Sequence, residues 1–165
     1  MDAHVYTVSE KDATIVADAT LVIVHTAAAI TTRASIIRLL RAWVSQSGTN
    51  TSAQLGIQLA VKASTFGTYT AATPRPHIAG GAASGITGGT AGAAGTAGTD
   101  ASAEGAGAVT PIVSDDFNNL TGWLWVPTPE ERIVVPTDTA VILKLVGTPA
   151  TLTGWTYGLT FQELN

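Results

Sequence analysis

Cysteine is absent from this chain of 165 residues, which excludes disulfides, thiolate metal sites and a cysteine nucleophile and leaves the redox compartment open. Charge is scarce. Only 12% of the residues are Asp, Glu, Lys or Arg and the formal net charge is -4, a balance that argues against nucleic acid or an anionic membrane as the main partner. Long hydrophobic runs are lacking as well, and the apolar stretch at 21–24 is far too short to span a bilayer. The opening residues Met1-Asp2-Ala3-His4 carry neither the basic nor the apolar region of a secretory leader. A soluble protein made in the cytoplasm is the expectation.

Signatures of chemistry are missing too. The three histidines, His4, His25 and His77, are scattered, with no His, Asp or Glu partners at a metal-ligand spacing, so no metal site and no cofactor are expected. Asp115-Asp116 and Glu130-Glu131 are paired acids, but adjacent carboxylates in an extended chain point to opposite faces and do not converge on one substrate atom. No G-x-S-x-G elbow, Walker loop or dinucleotide fingerprint occurs in spite of 17 glycines. The residues therefore point away from an enzyme.

What the chain does contain is strand. In 133–135, 141–146 and 155–163, β-branched and aromatic residues recur with period two. The last is the clearest, with Trp155, Tyr157, Leu159 and Phe161 on one face and Thr156, Gly158, Thr160 and Gln162 on the other. Strands are also expected at 4–7, 14–17, 21–26 and 122–126. The segment 36–44 fits both periods, and its Ile, Val and Trp favour a strand that pairs as a hairpin with the alternating stretch Leu55, Ile57, Leu59, Val61. Asp115-Asp116-Phe117-Asn118-Asn119 reads as a turn. About eight short strands with Thr, Gly and Pro between them predict one all-β domain over 1–165, an antiparallel β-sandwich with a jelly roll ahead of an immunoglobulin-like fold.

Between the halves lies a tract at 79–108 in which 10 residues are Gly and 11 are Ala. With almost no large apolar side chain to offset ordering entropy of roughly 1 to 2 kcal/mol per residue, it is expected to be a flexible loop, a long insertion in the sandwich. Small side chains would also let it lie against a neighbouring subunit.

A free domain of this size keeps roughly a quarter of its residues charged, and here Thr, Ala and Gly stand in their place, so much of the surface is expected to be covered by other protein. Trp123 and Trp125 lie two apart and share a face, and with Trp155 and Tyr157 they either belong to the core of the sandwich or offer an aromatic surface for a subunit or a sugar ring. Pro127 follows, then the dense charge cluster Glu130, Glu131, Arg132, suited to the polar rim of an interface. These six residues, Trp123, Trp125, Pro127, Glu130, Glu131 and Arg132, are the candidate interface.

The run Gln54-Leu55-Gly56-Ile57-Gln58-Leu59, the segment Phe66-Gly67-Thr68 leading to Thr73-Pro74, the block from Pro127 through Arg132 to Val135, and the ending at 152–164 resemble small structural proteins of tailed bacteriophages, above all the capsid decoration, or cement, proteins of jelly-roll fold. The resemblance implies a homotrimer on the outside of the virion head that binds the major capsid protein and reinforces the expanded shell. It implies that residues 1–11, as an extended N-terminal arm, or the Ala/Gly tract reach across to neighbours. A tail or fibre component and a carbohydrate-binding sandwich are the alternatives.

Overall fold

Alternating side chains pack only when a second layer covers their apolar face, and the computed structural model, which describes residues 4–29 and 34–164, has two such layers. The strands are β1 (Val5–Ala13), β2 (Thr20–His25), β3 (Ile37–Gln46), β4 (Gln54–Lys62), β5 (Gly67–Ala71), β6 (Arg75–Pro76), β7 (Thr87–Gly88), β8 (Thr96–Glu104), β9 (Val109–Asn118), β10 (Trp123–Trp125), β11 (Val134–Val135), β12 (Ala140–Val146) and β13 (Trp155–Glu163), with one 3-10 turn at Pro129–Glu131. One sheet runs β10-β3-β13-β1-β6, with β11 also on β3; the other runs β5-β8-β2-β12-β4-β9, with β7 on β8. Pairing is antiparallel except for the two-residue β7.

The chain is an all-β sandwich, and its connectivity is that of a jelly roll. Strands β1, β13, β3 and β10 face β2, β12, β4 and β9, and β1 to β4 alternate between the sheets, the double Greek key of that fold. Alternation explains a correction: β3 and β4 are not a hairpin. They lie in opposite sheets, and residues 47–53 cross between them, held where Asn119 accepts from the Ala53 amide at 2.8 Å and donates to Gln46 Oε1 at 2.8 Å and to the Thr51 carbonyl at 3.0 Å.

The core lies where the pattern placed it. Trp155, Tyr157, Leu159 and Phe161 of β13 are all fully buried between the sheets, against Leu55, Ile57 and Leu59 of β4 and Val141, Leu143 and Leu145 of β12. Residues 5–11 of the expected arm belong to β1, registered on β13 from Val5↔Gln162 to Glu10↔Tyr157; Tyr6 and Val8 are too apolar to leave the core, and residues 1–3 lie outside the described part. Residues 14–17 are not a strand, although the Ile15 amide donates to the Leu152 carbonyl at 2.8 Å. Residues 115–118 are the end of β9 rather than a turn, because the acids sit at a sheet edge where strand residues can point into water.

The Ala/Gly tract departs most from expectation. It is part of the insertion between β4 and β9, but it supplies β7 and β8, and β8 pairs with both β2 and β5 inside the larger sheet. Small residues there make room for large ones from elsewhere: a Cβ on Gly98 would stand 2.7 Å from Cβ of Tyr69, and one on Gly92 would stand 2.5 Å from Cβ of Phe66. Tyr69 and Phe66 thereby close a second, smaller core on the outer face of the larger sheet, over Ile23, Ala60, Ala101 and Ile142. This accounts for β2, whose six residues are buried on both faces.

An ionic hub ties the insertion down. Lys62, fully buried at the end of β4, pairs with the Glu104 carboxylate and donates to the Gly105 carbonyl at 3.0 Å. Glu104 Oε2 accepts from both the amide and the hydroxyl of Thr20 at 2.8 Å, and Lys144 stands 3.7 Å away. Burial pushes the Glu104 carboxyl up, but the bonds from Lys62 and Thr20 and the charge of Lys144 outweigh it and hold the group below its ordinary value.

Candidate interaction surface

Strand β10 is only three residues long and pairs with β3 from Trp123↔Val44 to Trp125↔Ala42. Because successive side chains alternate, its two tryptophans turn inward and pack half-buried against the core, which leaves Leu124 outside. Leu124 is 63% exposed, Val126 just beyond it 62%, and Val134 on the next edge strand 51%. Three large aliphatic side chains thus stand out from one edge of the smaller sheet. In sequence the aromatics are the conspicuous residues, and the alternation of Trp123, Leu124, Trp125 and Val126 is the signal that separates the inward pair from the outward one.

The six predicted residues divide accordingly. Trp123 and Trp125 brace the edge from within, and Trp123 Nε1 donates to Asp115 Oδ2 at 2.9 Å, joining the edge of one sheet to β9 at the edge of the other. That bond, aided by the Asp116 amide, holds the Asp115 carboxyl below the usual carboxylate range. Pro127 is buried, Glu130 and Glu131 are exposed, and Arg132 is half-buried. Glu131 turns back to Thr128, accepting from its hydroxyl at 3.1 Å, which sets the 3-10 turn. The proposed aromatic surface does not form: Trp155 and Tyr157 are core residues on a central strand and never meet solvent.

On the same face as the aliphatic strip, Arg38 pairs opposite Val134 and Arg41 stacks over Trp43, the partner of Leu124, and the exposed Glu130 and Glu131 lie between Val126 and Val134 in the chain. The opposite edge of the same sheet differs in character. There β6 pairs with β1 (Tyr6↔Pro76, Thr7↔Arg75) and flanks a hollow of about 220 Å³ lined by His4, Val5, Tyr6, Pro76, Ile78, Gly81 and Ala82. Arg75 and His77 are exposed beside it, His77 Nε2 lying 2.6 Å from Thr7 Oγ1.

Elsewhere the polar groups serve the fold. His25 is buried, with Nδ1 2.8 Å from the Gly92 carbonyl and Nε2 3.3 Å from Asp138, so it pins the insertion. Tyr157 donates to Asp100 across the sandwich, and burial together with the nearby Glu10 raises the Asp100 carboxyl to about 6. Among the described residues no group of three His, Cys, Asp or Glu is placed to hold a metal ion, and no helix is long and apolar enough to cross a membrane. No family model matches the chain, and neither a curated protein nor a solved structure matches it.

Proposed function

We propose that this chain is a structural assembly protein, a capsid decoration protein that sits on the outer surface of a phage head as a trimer, binds the major capsid protein and stabilises the shell. The observation that supports this reading is the strip of Leu124, Val126 and Val134, exposed on the rim of a two-layer body, with Arg38 and Arg41 on the same face and Glu130 and Glu131 between Val126 and Val134 in the chain. Apolar side chains with a charged border suit a contact with protein, where the centre excludes water and the rim sets orientation. A jelly roll by itself serves many functions, so the weight rests on that surface and on the phrases of sequence that resemble decoration proteins. A sugar-binding reading loses support, since it needs an open aromatic platform and Trp123 and Trp125 face inward.

The test is to mix the purified protein with expanded and unexpanded heads of its parent particle and to pellet them. Co-pelleting with expanded heads at hundreds of copies per particle is expected. A few copies at one vertex would assign it to the tail instead, and absence from both kinds of head would end the proposal.

A further inference from the structure

We infer that Arg38, Arg41 and Arg132 form a carboxylate-binding patch on the outer face of the smaller sheet, and that the partner it fits is a protein surface presenting acidic side chains among aliphatic ones. The inference rests on the reading that the strip meets the shell, and it names the chemistry required of that shell. Arg38 and Arg41 stand opposite Gln162 and Thr160 of β13, two residues apart on one face and so about 7 Å from each other. Arg132 joins them from the β11 side. Ile133 packs inward and its carbonyl accepts from the Leu39 amide at 2.8 Å, so alternation turns Arg132 and Val134 outward together. None of the three cations is matched. Among the described residues the ion pairs take up Lys11, His25, Lys62 and Lys144 and include no arginine, and Nε of Arg132 is buried with no hydrogen-bond partner. The nearest acids in the chain do not fill the role, since Glu131 turns back to the Thr128 hydroxyl at 3.1 Å and Glu130 enters none of these pairs.

The sheet is built to hold one guanidinium in place. A Cβ on Gly158 would stand 2.5 Å from Cζ2 of Trp43, so the indole occupies the space a side chain would take, and Arg41 stacks on that indole with Cζ 4.4 Å from the ring centroid. Stacking fixes the guanidinium plane and leaves its N–H edge free, and that edge matches a carboxylate through two parallel hydrogen bonds. The neighbours decide which anion fits. Leu124 pairs opposite Trp43 and Val134 opposite Arg38, so two exposed aliphatic side chains share the cross-strand rows of the arginines and their platform. A phosphate backbone would leave those side chains in water, and a net charge of -4 opposes approach to an extended anionic polymer or membrane. A protein surface covers them and supplies the carboxylates at the same time.

Quantitative co-pelleting with expanded heads tests it. Arg41→Glu should lower the affinity about a hundredfold, and Arg41→Lys, which keeps the charge and loses the fork, about tenfold. Arg75→Glu is the control: Arg75 stands in the same row as Arg41, three strands away through Thr160 and Thr7, at about 14 Å and so beyond the screening length, and it should bind as wild type does. Amidating the carboxylates of the heads with a carbodiimide and glycinamide, with electron microscopy to verify intact shells, should abolish binding of the wild type. Near-ultraviolet circular dichroism verifies the fold of each variant, and if Arg41→Glu misfolds, Arg41→Gln should still weaken binding about tenfold. An Arg41→Glu protein that binds as wild type does, or a wild type that coats amidated heads, would overturn the inference and leave the proposed function standing, whereas a wild type that ignores untreated heads removes both. Retention on heparin or a short RNA at roughly 150 mM salt, lost in Arg41→Glu, would assign the patch to a polyanion, and self-association lost in Arg41→Glu would assign it to a second copy; either result overturns the inference.

Discussion

Asp100 shows how a single side chain can set a pH dependence. Its backbone lies in the left-handed region, φ 51°, which Asp and Asn tolerate better than most residues, and its carboxyl accepts a hydrogen bond from the buried Tyr157 while Glu10 stands near. The folded carboxyl holds its proton up to about 6, against 3.8 for the ordinary group. Folding therefore favours the protonated form: this contribution is present in acid and is lost as pH rises from about 4 through 6. Asp100→Asn keeps an oxygen for Tyr157 and removes the charge, so it should be more stable than wild type by about 1 kcal/mol at pH 7.5, a figure reduced for partial exposure, and equal to it near pH 3.5. Urea unfolding at both pH values checks this, and equal stability at pH 7.5 would refute it. Glu104 has the opposite sign, its lowered carboxyl contributing stability that fades as the medium turns acid, and comparing variant with wild type at each pH cancels that term. The hub also predicts an asymmetry. Glu104→Ala strands buried Lys62 and removes the acceptor of both Thr20 donors, at a cost of about 3–5 kcal/mol. Lys62→Met leaves Glu104 with Thr20 and Lys144 and keeps the aliphatic stem, at a cost of about 1 kcal/mol. Thermal unfolding should rank them in that order.

Elements were legible in proportion to the size of their side chains. Strands β3, β4, β12 and β13 announce themselves because Leu, Ile, Val, Trp and Tyr alternate with small or polar residues, and the inward set of β13 is the buried set. Strand β8 hides because its partners, Tyr69 and Phe66, come from outside the tract and need Ala and Gly beneath them; composition describes the space there, and the filling lies elsewhere in the chain. Strand β9 hides because an edge tolerates Pro111, Asp115 and Asp116. Sheet membership is not written locally at all, which is why β3 and β4 read as a hairpin. At the candidate surface, the alternation in 123–126 tells the half-buried Trp123 and Trp125 from the exposed Leu124 and Val126, while Glu130 and Glu131 are exposed as a charged turn after proline would be. The account of β8 makes a prediction of its own. Gly98→Val places branched carbon where Cβ of Tyr69 already lies 2.7 Å away, so the strand must shift or the ring must leave the second core. A loss of about 1–3 kcal/mol is expected from overpacking, read as a lower urea midpoint with Tyr69 more exposed to solvent. A variant as stable as wild type would mean that β8 does not pack under Tyr69.

The molecule as a whole needs the insertion for reasons that reach past its own contacts. Without residues 63–108, the larger sheet would begin at β2, and Leu21, Val22, Ile23 and Val24, now all fully buried, would form a free edge with an uncovered outer face. Long, flat apolar edges pair with other chains, and sandwiches survive by blunting them. Here β8 and β5 take the edge position, and their Thr, Ser and Gly residues present a surface less prone to recruit further strands. Lys62 would lose Glu104 at the same time, leaving a buried ammonium unpaired. Replacing 63–108 by a short Gly/Ser linker therefore predicts more than a smaller stable jelly roll. Light scattering should show aggregation at micromolar concentration, and changing Lys62 to Met and Ile23 to Thr in the shortened chain should restore part of the soluble yield by removing the stranded charge and the apolar outer patch. If the shortened chain instead stays soluble and melts cooperatively near the wild-type temperature, the Ala/Gly tract is an ornament on a self-sufficient sandwich, and its ordered strands owe their place to the rest of the fold without returning any stability to it.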